Sequence, residues 1–226
     1  VVQAFNKHGR REMLEWCDKA YDYVQQIDKE FSDWLCVPRS KRTTSIKPSG
    51  TVSLLNGSTP GIHYPEAEYY IRRIRFSIGN AILKAIEEAG YHIEKDAYSP
   101  NTMVASFPVH EPFFQKGKSE ATMWEQLEIA AAYQHYWADN SVSVTVTFNG
   151  DEAKDIKTAL EMYESRLKAV SFLRYQETGY EQAPYEPITK EQYEEMSKDI
   201  IPIQRIETEV QGAGTVFCDG DSCEIV

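Results

Sequence analysis

Two short stretches hold residues that could do chemistry together. The first is Pro48-Ser49-Gly50-Thr51-Val52-Ser53, which follows an apolar start at Ile46 and ends in a second break at Pro60-Gly61. A loop of this composition can aim successive backbone N–H groups and three hydroxyls at one oxyanion, as a phosphate requires. It lacks the Gly-x-x-x-x-Gly-Lys-Ser/Thr pattern of a P-loop, and Pro-Ser-Gly also serves in ordinary turns, so both readings stand on these residues alone. The second stretch is the tail, Gly212-Ala213-Gly214-Thr215-Val216-Phe217-Cys218-Asp219-Gly220-Asp221-Ser222-Cys223, with two thiols separated by four residues. Gly212 and Gly214 allow wide backbone excursions, so the pair could close a small disulfide or carry one between places. Asp219, Asp221 and Glu224 surround the thiols with negative charge, which disfavours resting thiolates and suits exchange at need better than nucleophilic catalysis. A disordered end with incidental cysteines and half of a zinc site are the competing readings; zinc would need two more ligands, and His63, His92 and His135 lack paired spacing.

Other candidates read more plainly. Cys17 and Cys36, in helical or apolar surroundings, are expected to be buried thiols. Arg72, Arg73 and Arg75 are expected on an exposed strand face rather than as a phosphate clamp. His63 is a lone histidine in a turn, and Glu125 and Glu128 belong to a solvated helix face.

The elements that must position these residues follow from periodicity. Arg10–Leu35 has apolar residues at helical spacing and is predicted as one long amphipathic helix, ended by Pro38. Ile46–Leu55 is predicted as a strand feeding the loop, and Tyr69–Phe76 as a second strand. Asn80–Ala89 is a predicted helix stopped by Gly90, Met103–Val109 a strand, and Ser119–Asp139 a helix. Ser141–Phe148 alternates as a strand, Asp151–Val170 is a helix capped by Asp151, "SFLRY" a strand and Thr189–Ile200 a helix. From Pro202 onward the chain is expected to be loosely ordered. Strands alternating with helices predict an α/β fold with parallel pairing. A length of 226 residues with 42% apolar residues places the chain in the soluble, globular class, with one large domain or two small ones. No apolar run approaches the roughly 18 residues of a membrane span, and cytoplasm is the default location. A net charge of −11 argues against nucleic acid as a general partner, while leaving room for a small anion at one local site. The Val1-Val2 start without Met suggests the end of something longer, or processing.

Taken in order, "TTSIKPSGTVSLLNGSTPGIHYP", "YYIRRIR", "YSPNTMV", "WEQL", "YWADNSVSVTVTF", "ALEMYESRLKAVSF", "GYEQAPYE" and "FCDGDSCEI" resemble the C-terminal portion of adenosylcobalamin-dependent (class II) ribonucleoside-triphosphate reductases. The resemblance covers nearly the whole chain from about Trp34. It implies that residues 1–201 are the C-terminal part of the ten-stranded α/β barrel of ribonucleotide reductases, and that 202–226 form a flexible redox tail. It implies that Pro48, Ser49, Gly50, Thr51, Val52 and Ser53 hold the phosphates of a ribonucleoside triphosphate. Cys218 and Cys223 match the family's mobile pair, which re-reduces the active-site disulfide and is restored by thioredoxin or a similar dithiol. Adenosylcobalamin, which generates the thiyl radical, would be bound mainly by the missing N-terminal part of the reductase. The family's Asn-x-Cys-x-Glu stretch with the radical cysteine is absent here, so the chain alone is expected not to turn over. Val170-Ser171-Phe172-Leu173 stands where the oxygen-dependent class carries a Tyr-Tyr pair, and "GAGTV" is not the glycyl-radical motif of the anaerobic class. The alternatives are a non-catalytic nucleotide- or phosphate-binding module, or a split piece of a reductase of another class.

Overall fold

The computed structural model describes residues 1–49, 53, 58–175, 181–203, 217–219 and 222–224. Two helices open the chain, α1 (Val2–His8) and α2 (Arg10–Leu35), separated by Gly9 at φ 79°. The ends of α2 match the predicted bounds, but its stop is a backbone motif that precedes Pro38. Cys36 adopts the left-handed conformation at φ 56°, its N–H donates to the Asp33 carbonyl, and the Val37 N–H reaches back to Ser32. These two bonds form a Schellman cap. Cys36 is thereby turned outward and is exposed, against the expectation of burial; Cys17 is buried as expected.

An antiparallel sheet follows, in the order β2-β3-β1-β6, from β1 (Tyr69–Ser77), β2 (His92–Lys95), β3 (Thr102–His110) and β6 (Tyr185–Pro187). The β1–β3 ladder runs from Tyr69 opposite His110 to Ser77 opposite Thr102. Helix α3 (Ile82–Glu88) connects β1 to β2 and stops before Gly90, whose φ is 88°. A Cβ at Gly90 would lie 2.8 Å from the Asp199 carbonyl oxygen, so both the turn and the close approach require glycine.

The second unit is a parallel pair, β4 (Thr145–Phe148) with β5 (Ser171–Arg174), joined by a 3-10 turn (Glu152–Asp155) and α5 (Ile156–Tyr163). Among the described strands the expected parallel pairing is confined to these two, and every ladder of the larger sheet is antiparallel. Helix α4 (Met123–Tyr136) precedes β4, opened by a reciprocal capping box between Thr122 and Glu125. Asp151 does not cap the helical stretch that follows it. Glu152 does the local work instead, accepting from the N–H groups of Asn149 and Met123, both at 2.9 Å. Helix α6 (Lys190–Ser197) starts at a second capping box, Thr189 with Gln192.

The core lies between α4, β4 and α5, where Met123, Leu127, Ala130, Val146, Ala159 and Tyr163 interlock, with Cys17 of α2 and Ile62 closing the sides. No described helix is long and apolar enough to cross a membrane. The last described elements are β7 (Phe217–Asp219) and β8 (Ser222–Glu224), an antiparallel pair.

Candidate functional site

The segment leading into the Pro48–Ser53 loop is fixed by the end of α4. Asp139 accepts from the Thr43 N–H at 2.9 Å, from the Thr43 hydroxyl at 3.0 Å and from the Tyr21 hydroxyl at 2.7 Å. The Thr43 N–H is the main reason the Asp139 carboxyl lies below the usual carboxylate range, and the bond from its own hydroxyl to Asp139 raises the Tyr21 phenol. Thr44 donates its hydroxyl to the Trp137 carbonyl, and the Trp137 indole N–H donates to Ser45 at 3.2 Å. Further on, the Asn140 and Ser143 N–H groups donate to the Thr44 and Ile46 carbonyls. These bonds lay residues 43–46 alongside 137–143; of the strand predicted for Ile46–Leu55, residues 46–49 have no regular structure, and residues 50–52 and 54–55 lie outside the described residues.

Past this point the chain is pressed against Gly61. A Cβ there would stand 3.2 Å from both the Lys47 oxygen and the Pro48 Cα, and φ is +53°. Ser49 and Ser53 face each other across one turn, with the Ser53 N–H donating to the Ser49 hydroxyl at 3.2 Å and the Ser53 hydroxyl donating to the Ser49 carbonyl. Gly50, Thr51 and Val52 lie outside the described residues.

The exit of the loop is tied to β4. His63 donates from Nδ1 to the Pro60 carbonyl at 3.1 Å and accepts at Nε2 from the Thr145 N–H, also at 3.1 Å. The second bond needs the Nε2 lone pair, so His63 is a neutral, single-tautomer clamp. Burial lowers its pKa, Lys118 adds to that, and the Pro60 carbonyl opposes it. Gln126 of α4 completes the arrangement. Its amide accepts from the Thr147 N–H at 2.9 Å and donates to the Thr147 carbonyl at 2.8 Å. Both shoulders of the loop thus rest on α4 and β4.

Sequence reasoning missed Asp139, His63 and Gln126 as positioning residues. A signal existed only for Gln126, a polar side chain interrupting the apolar run of Met123, Leu127 and Ala130. Of the three arginines expected on an exposed face, Arg75 is exposed while Arg72 and Arg73 are half-buried, and all three bond to backbone carbonyls. Arg72 and Arg73 donate to the Pro184 and Ala183 carbonyls, Arg75 to that of Gln182, and Arg73 pairs with Glu186 at 2.5 Å. They stitch β1 to the segment before β6. Glu125 and Glu128 are similarly engaged, Glu125 by Lys116 at 2.6 Å and Glu128 by Arg10 at 2.6 Å and Arg166 at 2.9 Å.

In the tail, Cys218 stands opposite Cys223 in the β7–β8 register. Directly opposed residues of an antiparallel pair have Cα atoms about 4.5–5.5 Å apart, inside the ~4.4–6.8 Å range that a disulfide spans.

No family model matches the chain. Curated relatives do, among them the adenosylcobalamin-dependent ribonucleoside-triphosphate reductase of Euglena gracilis, 41% identical over 99% of this chain. The probable enzyme of that name from Dictyostelium discoideum is 39% identical over 100% of it, and that of Lactobacillus acidophilus 36% over 94%. The chain spans about a third of their lengths, at 32%, 31% and 30%. A crystal structure of a B12-dependent (class II) ribonucleotide reductase superposes with a TM-score of 0.79 at 34% identity, covering 87% of this chain and 28% of that one. In sequence and in fold, nearly the whole chain is similar to about one third of an adenosylcobalamin-dependent ribonucleoside-triphosphate reductase.

Proposed function

We propose that the chain is the C-terminal portion of an adenosylcobalamin-dependent reductase that converts ribonucleoside triphosphates to 2′-deoxyribonucleoside triphosphates by thiyl-radical chemistry. The observation that carries this reading is the coincidence of sequence and fold similarity over almost all of the chain. Residues 1–201 supply part of the barrel domain and 202–226 the redox tail. Pro48, Ser49, Gly50, Thr51, Val52 and Ser53 seat the substrate phosphates; the anchoring of Thr43–Ile46 and Gly61–His63 on both sides supports a loop whose position is set before substrate arrives.

Cys218 and Cys223 resupply electrons. Each reduction removes the 2′-hydroxyl as water and leaves two active-site thiols oxidised to a disulfide. The tail dithiol attacks that disulfide, releases the two thiols and becomes a disulfide itself, moving two electrons and two protons. A thioredoxin-like dithiol then reduces the tail pair, and this relay suits the reducing cytoplasm. The opposed register of the two residues supports formation of the bond.

The described residues do not by themselves fit a corrin. The cleft of about 880 Å³ between α2 and α4 is lined by Arg10, Asp18, Asp22, Glu128, Asp139 and Arg166, whose charges largely pair with one another or with the backbone. The cofactor is held mainly by the remaining part of the reductase, and no step of the relay above passes through it.

The test is Cys218→Ser in the chain combined with that remaining part. The pre-reduced variant should complete one turnover but fail to cycle with thioredoxin as the reductant. Unimpaired multiple turnover would overturn the tail assignment. Absence of any reduction by the parent combination, with triphosphate still bound, would instead identify a phosphate-binding module.

A further inference from the structure

Helix α2 is apolar over more of its circumference than the molecule covers. Cys17, Tyr21 and Ser32 lie on the arc that meets α4 and Asp139. Trp16, Tyr23, Ile27, Phe31 and Trp34 fall on the neighbouring arc, within about 80° at 100° per residue, and extend along about 27 Å of the axis. Most of that second stripe is exposed, although Ile27 is half-buried and the Trp16 ring lies 4.8 Å from that of His8. Trp16 is 44% exposed, Tyr23 63%, Phe31 51% and Trp34 76%, and the rings of Phe31 and Trp34 pack edge to face at 5.9 Å with solvent beyond them.

Exposed large apolar residues gathered in one strip, rather than scattered singly, mark an interaction surface. Its residue types, tryptophan and tyrosine, are those that dominate binding energy. Lys19, Gln26 and Glu30 border it with the polar rim of a protein interface. A net charge of −11 argues against an anionic lipid surface as the occupant.

We propose that this stripe is the docking surface for the remaining two thirds of the reductase, which covers it with an apolar helix face or groove of matching length. The inference rests on the reductase reading and on the lengths of the relatives, of which the chain spans 32% and 31%. An occupant of that size is available in every such relative, and Tyr23, Phe31 and Trp34 are more than half exposed in the free chain.

The experiment uses this full chain and, as the probe, the separately purified part of the Euglena gracilis reductase that lies outside the match. Titration should show one-to-one binding with a blue shift of tryptophan emission. Tyr23→Ser/Trp34→Ser, and separately Trp34→Lys, should weaken binding at least tenfold while leaving the far-ultraviolet spectrum and Tm unchanged, because these side chains are exposed in the free chain. Equal binding by the variants, no binding by the parent, or a Trp34-dependent dimer of this chain alone in sedimentation would overturn the proposal. Triphosphate reduction in the same mixtures separates the two readings. Turnover with variants that bind as tightly as the parent removes only the docking surface; stripe-dependent binding without turnover removes only the reductase assignment.

Discussion

His63 holds the exit of the loop through a lone pair, so its protonation breaks the contact. Its pKa in the folded chain is lowered by burial, which means the unfolded chain takes up the proton first as pH falls. The contribution of His63 is complete above the ordinary histidine pKa of about 6.5 and is lost as pH drops below it toward the folded value. Urea unfolding at pH 7.5 and 5.5 should therefore show lower stability at the acid end, and His63→Ala should reduce that difference. Gln126 is the other residue on which β4 depends. In Gln126→Leu the N–H, carbonyl and hydroxyl of Thr147 lose their buried partner, and stability should fall by about 3 kcal/mol, read as a lower urea midpoint at unchanged slope. The Pro48–Ser53 stretch and the Cys218/Cys223 pair stand out as candidates at this scale because their residue types are unusual in sequence. Asp139 and His63 do not, since a side chain that bonds a distant backbone group leaves no periodic trace.

The long periodic elements were legible in order, but the short α1, β2, β6 and the β7–β8 pair in the tail expected to be loosely ordered were not, and element ends followed local hydrogen bonds that periodicity does not encode. The predicted Asp151–Val170 helix is a 3-10 turn and the shorter α5, because Glu152 turns back to Asn149 and Met123. Ile46–Leu55 has strand-like residues, but residues 46–49 have no regular structure and the Ile46 carbonyl takes the Ser143 N–H outside any ladder. At the end of α2 the left-handed position is held by Cys36, where most helices place glycine. Cys36→Gly should relieve that strain and stabilise the chain by about 0.5–1 kcal/mol, a rise in Tm of roughly 2–4 °C per kcal/mol. Calorimetry on the two proteins measures it directly.

For the molecule as a whole, similarity to about a third of its relatives predicts that the chain alone does not reduce ribonucleoside triphosphates, even with adenosylcobalamin and a dithiol supplied. An assay for deoxyribonucleotide with and without the remaining part checks this; turnover by the chain alone would contradict it. The class of fold was legible from alternating helices and strands, but the pairing direction was not, because it depends on which strands lie side by side. The geometry of β4 carries one more consequence. Ser171 and Tyr175 donate to the Val144 and Phe148 carbonyls, so the strand alternation turns the backbone groups of Thr145 and Thr147 the other way. On that outer side His63 takes the Thr145 N–H and Gln126 takes both groups of Thr147. One border of the parallel sheet is thus sealed by two side chains. Phe172 and Arg174 of β5 direct their backbone groups outward by the same alternation. Any strand that enlarges this sheet must add beside β5, which gives the assembly of the barrel a fixed direction of growth.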